Sequence, residues 1–174
     1  MKKYDITKYY NEAGNDPEQK WISIHDIGSS FGGVKLTPEK YMKTEDAFVN
    51  AILLIFDYMK IDSCKIKNVY KCSLLDSDYP NNDVEIVADV RALYNKELID
   101  TYENIQDDAD IGLSDLANII RLKLREDLGG EMYVPYRLKL FIGYDYMVGI
   151  NTSKDISVLF PQIKNMGLHI FEWR

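Results

Sequence analysis

A chain of 174 residues, 46% hydrophobic and 12% aromatic with a formal charge of −7, is long enough to bury roughly two-thirds of its unfolded surface in one domain. That content argues against a disordered chain. "MKKYDITKYYNEAGND" has no apolar stretch after its lysines, so no secretory signal is expected, and the longest apolar run, 47–56, is about half the length a bilayer span needs. The expectation is a cytoplasmic protein with a single domain, 1–174, and no membrane partner.

In chain order, "KWISIHDI" (20–27) reads as a strand and "GSSFGG" as the turn after it. That turn lacks both the Gly-Lys-Ser/Thr ending of a P-loop and the spacing of a dinucleotide fingerprint. Residues 44–60 read as a helix with Thr44 as N-cap and Glu45 and Asp46 in its first turn. It is apolar nearly all round, with Asn50 and Asp57 on its only polar stripe, which predicts the central core helix. From Cys64 to Leu74 the even positions are mostly apolar, while the odd ones carry Lys65, Lys67 and Lys71, a strand with one wet face. Cys64 and Cys72 then point inward as reduced thiols. Roughly 26 Å apart along that strand, they can neither pair nor share a metal.

The next segment holds the charge. Residues 76–110 contain Asp76, Asp78, Asp83, Glu85, Asp89, Glu97, Asp100, Glu103, Asp107, Asp108 and Asp110, opposed only by Arg91 and Lys96. The other 139 residues hold 17 acids and 19 bases, so one fifth of the chain carries the whole negative excess. Asn82 and Glu85 have capping-box spacing after the turn "DYPNN", and a single helix over 83–105 follows. It aligns Val84, Val87, Val90, Tyr94, Leu98, Tyr102 and Ile105 on one side, with Glu85, Asp89, Asp100 and Glu103 opposite, interrupted by Lys96. A carboxylate-rich loop then leads onward. "DDADIGLSDLAN" (107–118) places Gly112 at the sixth position of a calcium loop, but Ala109, Ile111 and Asn118 occupy ligand positions, so no metal is expected.

Beyond it, 114–130 reads as a helix capped by Ser114 and stopped by Gly129 and Gly130. Residues 136–150 keep apolar side chains at even positions, giving one strand kinked at Gly143 or two shorter ones. A short helix over 156–167 and a closing strand over 168–173 complete an α/β (α+β) domain. Its expected form is a mixed, largely antiparallel sheet packed by about four helices.

No catalytic motif stands out. His25 and His169 sit in no recognisable pattern, and there is no G-x-S-x-G, H-E-x-x-H or paired C-x-x-C. The reading is a non-enzyme without cofactors. The basic residues are scattered, with no aromatic-studded basic motif, and a −9 segment repels phosphate, so direct nucleic-acid binding is not expected. Such a segment attracts proteins that themselves bind phosphate.

In size, acidity and the helix-into-strand passage "TEDAFVNAILLIFDYMKIDSCKIKNVY", the chain resembles the immunity proteins of bacterial contact-dependent growth inhibition and related polymorphic toxin systems. The resemblance implies a cytosolic inhibitor of the toxic C-terminal domain of a cognate protein, and its more specific form is the partner of an EndoU-class RNase whose histidines and lysine surround the scissile phosphate. It supplies no binding residues. Those come from the charge: Asp76, Asp78, Glu85, Asp89, Asp100, Glu103, Asp107, Asp108 and Asp110, with Tyr79 and Tyr102 as anchors. The alternatives are a non-catalytic adaptor for another basic protein, or a small hydrolase.

Overall fold

A computed structural model of the protein describes residues 1–9, 18, 20–72, 74, 84–143 and 145–173, with the side chain of residue 84 left aside. Its frame is a seven-stranded sheet: β1 (Lys2–Thr7), β4 (Ser63–Lys67), β5 (Asp110–Gly112), β6 (Glu131–Val134), β7 (Leu138–Ile142), β8 (Met147–Thr152) and β9 (His169–Glu172). The strand order is β5-β4-β6-β7-β8-β1-β9. Each neighbouring pair is antiparallel. A two-stranded hairpin, β2 (Ser30–Phe31) and β3 (Val34–Lys35), stands apart. The helices are α1 (Pro38–Met59), α2 (Val84–Ala92), α3 (Lys96–Asn104), α4 (Leu113–Leu124) and α5 (Phe160–Asn165).

Alternation explains the sheet. On one face Tyr4, Ile6, Ile66, Met132, Leu140, Val148 and Ile150 are at most 1% exposed, and the intervening residues face outward, as the two-residue period of a strand demands. α1 lies over the buried face, contributing Phe48, Ile52, Ile55 and Phe56 to the same core. The even-position pattern at 136–150 resolves into two strands, β7 and β8, joined by a turn in which Gly143 donates to the Met147 carbonyl (2.9 Å). The short helix and closing strand at the C-terminus form as expected, as α5 and β9.

Several boundaries differ from the sequence reading, each for a local reason. Residues 20–27 are not a strand: Ile24–Asp26 is a 3-10 turn closed by a capping box in which Ser23 accepts from His25 N and Asp26 accepts from Ile22 N (2.7 Å) and Ser23 N (3.1 Å). α1 begins six residues before Thr44, because Thr37 caps it and Pro38 suits its first turn. β4 stops at Lys67, where Asn68 takes a left-handed φ of 54°. Cys64 is therefore buried and Cys72 exposed, correcting the expectation that both face inward. The helix expected over 83–105 is two helices. Asn95 caps the second by accepting from Leu98 N (2.9 Å), and the Leu93 carbonyl, freed from the first, accepts from Arg125 Nη1 (2.9 Å). α4 ends at Leu124 rather than at the glycines. Gly129 serves a different need: a Cβ there would lie 1.8 Å from a ring carbon of Tyr70. Strands β1, β5 and β6 had no counterpart in the sequence reading.

Candidate partner-binding surface

α3 and α4 pack side by side, α4 also meeting α1, β5 and β7, and an open groove of about 600 Å³ runs between them alongside β5. Four carboxylates line it: Glu97 and Asp100 from α3, Asp110 from β5 and Asp115 from the first turn of α4. The spacing 97, 100, 101, 104 puts Glu97, Asp100, Thr101 and Asn104 on one face of α3. Asn118 Nδ2 of α4 donates to Thr101 Oγ1 (3.2 Å), fixing the separation of the helices. Lysines reach this acidic set only from outside the lining: Lys96 binds Asp100 (2.5 Å) and Lys65 binds Asp110 (3.4 Å). The bond to Asp100 holds the Lys96 ammonium above its usual range. Two lysines against four carboxylates leave the groove net negative.

The residues expected at a binding surface divide into distinct groups. Asp100 and Asp110 meet in the groove. Glu103 and Asp108 are exposed nearby, Asp108 with a left-handed φ of 59°. Asp107 has a structural task, accepting from Val69 N (2.8 Å). Tyr102 turns away from the acids: it is half-buried and its hydroxyl donates to the Cys72 carbonyl. Glu85 and Asp89 are exposed on α2, but the break before α3 means that they do not continue the stripe of Asp100 and Glu103. Asp76, Asp78 and Tyr79 lie outside the described residues. Glu97 and Asp115 complete the groove without having been singled out; the i, i+3, i+4, i+7 spacing on α3 was the available signal for Glu97.

A second polar cluster is internal. Glu45, fully buried, accepts from Tyr41 (3.1 Å), from Arg125 Nε (2.7 Å) and Nη2 (2.8 Å), and from Arg121 Nη1 (2.6 Å). Arg121 also binds Asp46 (2.6 Å), and Tyr94 donates to Asp127 (2.8 Å). Burial pushes the Asp127 carboxyl up to about 6, opposed by the Tyr94 hydrogen bond and by Arg125. These bonds tie α1, α4 and the 93–95 turn together, and their role is structural.

Nucleophile–base pairs find little support. Burial pushes the Cys64 thiol up to about 12, and β4 and β9 are five strand spacings apart, placing His169 roughly 24 Å from Cys64. Burial also depresses His25. Among the described residues no three His, Cys, Asp or Glu side chains are grouped to hold a metal, and no helix is long and apolar enough to cross a membrane. The 107–118 segment is spent on β5 and the start of α4. No protein-family model, curated protein or solved structure matches this chain.

Proposed function

We propose that the protein is an immunity protein that binds and neutralises the basic nuclease domain of a cognate toxin, engaging it through the α3–α4 groove. The observation that supports this reading most is the groove itself, where Glu97, Asp100, Asp110 and Asp115 converge without a cation on the lining. A nuclease cleft gathers positive groups to hold phosphates, and an opposed row of carboxylates both attracts that cleft and competes for it. Helix walls fixed by the Asn118–Thr101 bond present the charges with little ordering cost on binding.

The test pairs this protein with the toxin domain encoded beside its gene. Inhibition of RNA cleavage by an equimolar amount of this protein is the expected result. Replacing Glu97, Asp100 and Asp115 with Lys should slow association by about tenfold or more at low salt, with an unchanged circular dichroism spectrum. Asp107 is kept, because its bond to Val69 N is part of the fold. Unchanged association by the charge-reversed protein, or a neighbouring gene that encodes no nuclease, would sink the proposal.

A further inference from the structure

At the opposite edge of the sheet, where β1 ends and β9 begins, lies a cavity of about 280 Å³ of the reverse polarity. Lys35, Lys40 and Lys43 stand exposed on its lining, and Lys8 sits deep in it at 4% exposure. Glu18 is the one opposing charge among the described lining residues. Trp21, Leu36 and Leu168, all nearly fully buried, supply apolar surface.

We infer that this cavity is a binding site for a small phosphomonoester, its phosphate held by the lysines and its organic body against the apolar wall. This goes beyond the toxin-binding reading and does not depend on it.

Lys8 is the first argument. Its ammonium lies 3.2 Å from the centroid of the Trp21 ring, near Tyr9 (5.0 Å) and Tyr146 (5.1 Å), and donates to the Trp21 carbonyl. No carboxylate among the described residues comes within bridging distance of it. Burying an ammonium without a counter-charge is costly, and an anion in the cavity offsets that cost. Burial pushes Lys8 down to about 7, and Asp26 and Asp145 oppose the shift only as more distant charges.

The second argument is the placement of the other lysines. Lys40 lies in the first turn of α1, where the helix dipole disfavours cations, and with Lys43 it forms a like-charged i,i+3 pair. Neither they nor Lys35 form an ion pair with a described residue. A bound dianion relieves both penalties. Lysines without an arginine on the lining favour a phosphate held by point charges over a carboxylate gripped by a planar fork. The volume suits a small metabolite rather than a nucleic acid.

Trp21 reports on occupancy. In a Trp173→Phe background it is the sole tryptophan, and its emission is followed while glycerol 3-phosphate, glycerol, inorganic phosphate or succinate is added. Glycerol 3-phosphate should give a saturable change with a Kd below about 1 mM, inorganic phosphate should compete, and glycerol should give none. Replacing Lys35 and Lys43 with Ala should raise the Kd by about tenfold or more, leaving circular dichroism unchanged since both are exposed. The absence of a saturable change overturns the site. So does an equal response to succinate, or an unchanged Kd in the double variant.

Discussion

Glu45 belongs, by sequence, to the acidic first turn of a helix, yet it is the most deeply buried acid described and the acceptor for two arginines. Removing it leaves Arg125 buried with half its partners gone. Glu45→Ala should therefore cost about 3–5 kcal/mol in urea unfolding, far more than the loss of a surface pair. Asp127, in the same region, makes a pH-dependent contribution. Its folded pKa of about 6 lies above its ordinary value of 3.8, so the native state binds more protons between these limits, and stability from this group falls as pH rises from about 4 to about 6. Asp127→Asn keeps an oxygen to accept from Tyr94 and removes the titration. The stability of the unmodified protein relative to this variant should decline across that window and be flat above it. A relative stability that rises with pH there would contradict the burial argument.

At the scale of elements, the α2–α3 break shows what periodicity conceals. The apolar side chains at 84–105 keep helical spacing across it, since Val90 and Leu98 are both buried, so no pattern marks the turn. The turn exists because Asn95 caps α3 and because buried Arg125 takes the Leu93 carbonyl, a partner 32 residues away. Asn95→Ala should cost about 1 kcal/mol, read as a lower urea midpoint with an unchanged slope. Strands with clean alternation, β7, β8 and β9, were legible. β5, three residues long, was not, because its pairing with β4 leaves too short a signature. β4 was read too long: its alternation runs on past Asn68, where the backbone turns left-handed, so the pattern misplaces Cys72. A maleimide should label Cys72 rapidly and Cys64 only on unfolding; equal protection of both would restore the long strand. The acidic surface was legible as composition, but the groove was not, since only the packing of α3 on α4 brings Asp115 opposite Asp100.

For the molecule as a whole, the sheet separates two fields. The acidic groove lies at the β5 edge and the lysine-lined cavity at the β9 edge, six strand spacings or roughly 29 Å apart. That exceeds the Debye length of about 10 Å at 0.1 M salt, so neither field neutralises the other, and the repulsion among the acids of the groove is relieved only by the Lys96 and Lys65 pairs. Salt should then stabilise the protein by screening that repulsion. Replacing Glu97 with Gln and Asp100, Asp110 and Asp115 with Asn removes the repulsion, but also removes the Lys96 and Lys65 pairs and the favourable Asp115 position in the first turn of α4. These opposing effects are each a few tenths to about 1 kcal/mol, so the net change at moderate salt should stay within about 1 kcal/mol. The informative quantity is the salt dependence. Between low salt and about 0.5 M, where screening is nearly complete, the unmodified protein should gain more stability in chemical denaturation than the neutralised one. Equal salt responses would show that the four carboxylates do not repel one another appreciably, and the steering field proposed for the toxin encounter would lose its source.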